Sequence, residues 1–150
     1  MRLVDIVLRP GRREDSRSIR GLIREVGINP FQLDWRRFVV ALDSKEKLIG
    51  CGQIKSHFDG SRELASIAVR DGFRRQGVAA AIIGHLLRDN IRPLFLLCRR
   101  RLAHFYAAFG FSEADFTELT SYYRILSSFM KPFAGRARRE DQPVIMRLNQ

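Results

Sequence analysis

A chain of 150 residues suits one domain with one core, and a hydrophobic content of 45% excludes a disordered polymer. Lysine and arginine number 27 against 16 acidic residues, a formal net charge of +11, which favours an anionic partner without choosing among phosphorylated small molecules, nucleic acid and acidic protein. No apolar run reaches the ~18 residues of a membrane span, and two distant cysteines, Cys51 and Cys98, have neither metal-ligand spacing nor the density of a disulfide framework.

In chain order, "VDIVL" (Val4 to Leu8) reads as a first strand ended by Pro10 and Gly11. Asp5 inside this short apolar segment does not suit a secretory leader, so a cytoplasmic protein is expected. Ile19, Leu22, Ile23 and Val26 recur at helical spacing, with Asp15 and Ser16 as start signals and Gly27 as a stop. "NPFQLDW" reads as a turn or short helix. "RFVVAL" and "LIGCGQIK" are two strands around the polar turn "DSKEK". Asp59-Gly60 marks a hairpin leading into a strand from Glu63 to Val69. A helix is expected from Val78 to Leu87, and the continuously apolar Pro93 to Cys98 suits a buried, parallel-type strand. Leu102, Phe105, Tyr106 and Phe109 form a further helical stripe, with Gly110 placed to cap it and an extended piece from Phe111. Thr117 to Met130 is expected to be helical, "KPFAGRARRE" a basic loop and "PVIMRL" a last strand. The sum is an α/β chain built on a mixed sheet, treated as a single domain over residues 1–150.

The segment "FRRQGVAAAIIGHLL", residues 73–87, carries the chemistry. A strand, a tight bend and a helix start present backbone N–H groups and the positive end of a helix dipole, a natural seat for phosphate. Gly77 has no Cβ to keep an anion off the main chain, and Ala79, Ala80 and Ala81 keep the first turn slim. Arg74 and Arg75 add charge, and Gln76 offers an amide donor. The ordinary alternative is a basic loop before a core helix. Neither the G-x-x-x-x-G-K-[ST] nor the G-x-G-x-x-G phosphate motif is present.

"IAVRDGFRRQGVAAAIIGHLL" resembles the acetyl-CoA-binding motif of the GNAT acetyltransferase superfamily, in which R/Q-x-x-G-x-G/A opens a helix after a strand. Arg74, Arg75, Gln76, Gly77, Val78 and Ala79 occupy its six positions, and Ala79 stands where many members have glycine. "FYAAFGF" (Phe105 to Phe111) is similar to the family's Tyr-x-x-x-Gly-Phe helix ending, and "LRPGRREDSRSIRGLI" to its first strand and helix. The resemblance covers roughly residues 4 to 115. It implies the GNAT acyl-CoA N-acyltransferase fold: an α/β architecture with a mixed, mostly antiparallel central sheet flanked by helices.

The resemblance further implies acetyl transfer from acetyl-CoA to a primary amine by direct attack in a ternary complex. Ile67, Ala68 and Val69 would bond the pantetheine through their backbone, the amides around Gln76 to Ala79 would cradle the pyrophosphate, and Arg74 would reach a CoA phosphate. A strand N–H near Ala68 or Val69 would stabilise the oxyanion. Tyr106 matches the acid that protonates the leaving thiolate; its alternative is a core aromatic. Glu63 is the leading base, in alternation with Ala65, Ile67 and Val69, against the alternative of a solvated strand-end carboxylate. His57, before the hairpin, is a second base candidate; His85 and His104 read as structural.

Two features depart from the family. Arg99 stands where many members carry an asparagine seven residues before the tyrosine, and Arg99 to Arg101 would either meet CoA phosphates or form a solvated turn. Cys98 ends a strand, but the reaction needs no acyl-enzyme. The long stretch after Ala114 is the second departure: a helix bearing Tyr122, Tyr123, Leu126 and Phe129 would cover the acceptor site or a homodimer surface, and "GRARR" would attract an acidic acceptor. Two other readings stay open. A basic nucleic-acid-binding module explains the charge, but not Gly77 or "FYAAFGF", and no nucleic-acid motif supports it. A catalytically silent CoA-binding GNAT-like domain would bind without turnover. The acceptor is not legible.

Overall fold

A computed structural model describes residues 5–150, the side chains of residues 133 and 134 excepted. Val4, the expected start of the first strand, lies outside the described residues. The strands follow the order β1-β2-β3-β4-β5-β7-β6 in one mixed, mostly antiparallel sheet. The chain divides into two compact units, Met1–Lys55 with Leu64–Asn90, and Ser56–Glu63 with Ile91–Gln150.

The first unit carries β1 (Val7–Pro10), α1 (Ser16–Val26), β2 (Phe38–Leu42), β3 (Leu48–Ser56), most of β4 (Arg62–Val69) and α2 (Val78–Arg88). β1 pairs antiparallel with β2, Val7 opposite Leu42, and β2 with β3, Phe38 opposite Gln53. α1 forms where the apolar spacing requires, burying Ile19, Leu22 and Ile23 in a core shared with Phe38, Val40, Leu42, Leu48, Cys51 and Ala68. Its start is held by Asp15, whose carboxylate accepts from the Arg12 amide at 2.7 Å and the Arg9 guanidinium at 2.6 Å. It stops at Gly27, left-handed at φ 80°, whose amide returns to the Ile23 carbonyl.

Two glycines of β3 fix how closely α2 approaches. A Cβ on Gly50 would lie 2.9 Å from Val78 Cγ1, and one on Gly52 would lie 2.8 Å from Ile82 Cγ2. Their bare backbone is the bed on which α2 rests. Within β4, Ser66 is left-handed at φ 59°, a kink absent from the regular alternation expected over Glu63 to Val69. Gln53 donates to the Ser66 hydroxyl at 2.8 Å and the Cys51 thiol approaches its carbonyl at 3.7 Å, which hold the kink in place.

The second unit carries the hairpin turn and the first residues of β4, with β5 (Leu94–Arg99), α3 (Ala103–Ala107), β6 (Ser112–Glu113), α4 (Ser121–Ala134) and β7 (Pro143–Leu148). Glu63 lies opposite Phe95 in a parallel ladder, while β5–β7 and β6–β7 are antiparallel. Phe95, Leu119, Tyr123 and Ile145 form its core.

Two expectations change here. The stripe from Leu102 to Phe109 makes only a 3-10 turn, Arg100–Leu102, and the short α3, with none of its residues buried. Gly110, left-handed at φ 98°, does end it: the Gly110 amide reaches Ala107 and the Phe111 amide reaches Tyr106. The helix expected over Thr117 to Met130 instead splits into a 3-10 turn, Phe116–Glu118, and α4, which starts later and runs further. The reason is a cap from elsewhere in the chain: the Tyr122 amide donates to Asp59 Oδ2 at 2.8 Å, a carboxylate that no local pattern connects to this helix. No helix of the described residues is long and apolar enough to cross a membrane.

Candidate active site

The turn from β4 into α2 is built from three left-handed residues, Gly72 (φ 92°), Arg75 (φ 62°) and Gly77 (φ 84°). The Arg70 amide pins its start to the Ile49 carbonyl at 2.7 Å, and the Phe73 amide closes a turn on Arg70. Arg74 Nε donates to the Val69 carbonyl and Gln76 Nε2 to the Gly72 carbonyl, so both side chains brace the loop. Gly77 is the N-cap of α2, and no side chain caps it. The first intrahelical bond runs from Ala81 to Gly77 at 3.0 Å, so the amides of Val78, Ala79 and Ala80 have no partner within the helix. No acidic residue stands in the first turn. An uncapped start with small side chains and no acid fits a phosphate, and Gly77 is exposed to receive one. Ile67, Ala68 and Val69 lead into this turn beyond the Ser66 kink, Ala68 being buried.

Glu63 and Tyr106 belong to the second unit. The two base candidates prove to be one cluster. His57 Nε2 is 2.8 Å from Glu63 Oε1, and the Tyr123 hydroxyl donates to the same oxygen at 3.3 Å. Both hydrogen bonds fall on the same carboxylate oxygen, Oε1. The His57 ring stacks on Tyr122 at 3.6 Å between centroids, and Tyr123 stacks on Phe95 at 4.6 Å. The His57 side chain is 3% exposed and that of Glu63 12%, which rules out the freely solvated strand-end carboxylate. Burial and then the Glu63 charge push the Tyr123 phenol up, keeping it a donor.

Asp59 beside them works differently. Burial opposes its ionised form, but hydrogen bonds from the Ser61 hydroxyl and the Tyr122 amide, among others, hold it well below the usual carboxylate range. It is thereby a fixed anion at the start of α4.

Tyr106 is half-buried on α3, with Phe105 at 5.1 Å and Phe111 at 6.3 Å between ring centroids. Burial, with a smaller contribution from Cys98, pushes its phenol up to about 12, so it carries its proton at neutral pH. No hydrogen bond or ring contact joins Tyr106 to Glu63 among the described residues. Cys98 is pushed up to about 11 by burial and Glu113, a protonated thiol rather than a nucleophile. Arg100 pairs with Glu113 at 3.1 Å and Arg101 with Asp141, so both are engaged within the chain, while Arg99 is exposed. His85 faces Asp89 at 3.9 Å.

Sequence reasoning missed the Tyr123 hydroxyl, the Asp59 cap and the Ser66 kink. The Tyr-Tyr pair was visible as an aromatic helix face, but its partner Glu63 is 60 residues away.

Comparison with known proteins agrees with this geometry. The profile of the acetyltransferase (GNAT) domain family matches residues 34–113, just over half of the chain. No curated protein sequence is significantly similar. Among solved structures, Rv2747 from Mycobacterium tuberculosis, in a complex containing CoA, superposes with a TM-score of 0.73 at 23% identity, over 96% of this chain and 99% of that one. N-acetylglutamate synthase from Neisseria gonorrhoeae, complexed with coenzyme A and N-acetyl-glutamate, gives 0.70 at 21% identity, over 99% of this chain, which spans 36% of that one. Ard1 from Thermoplasma volcanium gives 0.68 at 15% identity, over 97% of this chain and 98% of that one. With the fold, the turn into α2 and the profile in agreement, the chain belongs to the GNAT acetyltransferase family.

Proposed function

We propose that these 150 residues act as one N-acetyltransferase domain, using acetyl-CoA as cosubstrate and a primary amine as acceptor. The observation that carries the reading is the uncapped start of α2 at left-handed Gly77, a seat for a diphosphate. CoA-containing complexes of structures with this fold support it.

The residues present divide the work. Backbone amides at Val78, Ala79 and Ala80 would hold the pyrophosphate, with Gln76 and Gly77 shaping the turn and the exposed Arg74 and Arg75 supplying charge. The backbone of Ile67, Ala68 and Val69 would run beside the pantetheine. Acetyl-CoA supplies an acyl group activated as a thioester. Glu63 Oε2 receives the proton that the acceptor amine must lose to attack. His57 and the Tyr123 hydroxyl both bond Oε1, which fixes the orientation of the carboxylate. With its ring almost wholly buried, His57 acts through Glu63 rather than on the amine. The Tyr106 hydroxyl, protonated at neutral pH, delivers a proton to the departing thiolate.

The test is thermal stability followed by turnover. Acetyl-CoA at about 100 times its dissociation constant should stabilise the protein by about 2.7 kcal/mol, a rise in Tm of roughly 5–10 °C. A panel of amines, with free thiol as the readout, should then reveal acceptor-dependent CoA release. Stabilisation without thiol release from any amine would leave a silent CoA-binding domain, and no stabilisation at all would remove the reading.

A further inference from the structure

The outer face of α1 has no role in the chemistry above. Arg13, Arg17, Arg20 and Arg24 follow one another at intervals of three or four residues and are all exposed. That spacing makes a single ridge. Together with Ser16 and Gly21 they line one shallow groove, in which Glu14 is the one acidic side chain. None of the four arginines has an ion-pair partner among the described residues, and apart from Glu14 the neighbouring acids are engaged with other arginines. Asp15 holds Arg9, Asp34 faces Arg36, and Glu25 faces Arg70. Arg13 and Arg20 also border a second groove with Arg36 and Arg37, which Leu33, Asp34 and Trp35 line as well, so the purely polar lining belongs to the α1 groove alone.

We propose that this face binds the phosphate backbone of nucleic acid. The charge alone would equally suit an acidic protein. What separates the two is the lining of the α1 groove, which offers no apolar side chain at all. Protein interfaces are anchored by a buried apolar or aromatic centre. Nonspecific binding to nucleic acid is supplied by phosphate contacts alone. Every cation on this face is arginine, whose planar fork pairs two donors with phosphate oxygens. Arg13 stands in a 3-10 turn just before α1, and from Arg17 to Arg24 the ridge runs about 10 Å at the helical rise, a length over which one strand of a duplex presents a few phosphates at about 3.4 Å rise each. Gly21 leaves the floor of the groove open: nothing lies within 4 Å of where its Cβ would stand. Because the contacts are to backbone, no sequence preference is expected.

The test is binding of a fluorescent duplex of mixed sequence to the whole chain as a function of salt. Four neutralised phosphates give a log–log slope of about −3.6, so binding weakens about 150-fold between about 50 and about 200 mM salt. In the triple variant Arg17→Gln, Arg20→Gln, Arg24→Gln the slope should fall to about −0.9, a loss of only about 3.5-fold over the same range. A matched triple, Arg136→Gln, Arg138→Gln, Arg139→Gln, removes the same charge elsewhere and should keep the wild-type slope. Equal effects of the two triples would reduce the phenomenon to net charge and overturn the proposal. So would tighter binding of a polyglutamate of matched charge than of the duplex. If the first triple fails to fold, amide shifts of wild-type α1 on adding duplex decide instead: their absence overturns the proposal. The Tm rise with acetyl-CoA is read separately, so failure here leaves the enzymatic reading standing.

Discussion

Glu63 shows how one residue's role depends on which of its atoms are already bonded. Its Oε1 takes two hydrogen bonds, from His57 and Tyr123, so the carboxylate is held in one orientation. Tyr123→Phe keeps the ring that stacks on Phe95 and removes only the hydroxyl. It should cost about 1 kcal/mol of stability, read by urea unfolding, and displace the acid-side arm of the kcat/KM pH profile, the arm a general base sets. A variant with an unmoved pH profile would make the hydroxyl merely structural. Tyr106→Phe should lower kcat by about 100-fold or more with cofactor affinity nearly unchanged. Since the Tyr106 phenol is raised to about 12, the wild-type rate should not fall on its account until strongly alkaline pH. A Tyr106→Phe enzyme at full rate would take the acid role away from this residue.

The elements are held at two places the chain does not advertise locally. α2 lies on Gly50 and Gly52, where an added Cβ would press on Val78 and Ile82. Gly52→Ala should therefore destabilise by about 1–3 kcal/mol through overpacking, and weaken CoA binding by shifting the start of α2. α4 is fastened by Asp59, and Asp59→Ala should cost about 1 kcal/mol, roughly 2–4 °C in Tm. The pH dependence has a definite sign. The Asp59 carboxyl is depressed in the folded state, so its contribution is complete above the ordinary carboxylate range and is lost as pH falls through the folded value. The difference between wild type and Asp59→Ala, measured by denaturant titration, should be full at pH 7 and shrink in strong acid. A gap that persisted unchanged there would mean the cap does not act through the ionised carboxylate.

At the scale of the whole molecule, α1, the strands from Phe38 to Val69 and α2 were legible from spacing alone, because their buried residues recur within a few positions. The turn at Gly77 was legible for the same reason: left-handed geometry and an uncapped helix start are properties of five or six consecutive residues. The sequence by itself therefore determined the order of most elements and the glycine-led turn that opens α2. Only the tertiary structure decided that His57 and Glu63 are partners rather than rivals, that Tyr123 completes them, and that α4 begins at Ser121 under Asp59. Those contacts join residues 6 to 63 positions apart, and they form only when strands and helix have already packed. Local periodicity reports which face of an element is apolar, whereas a hydrogen bond between distant side chains depends on where the finished core puts them.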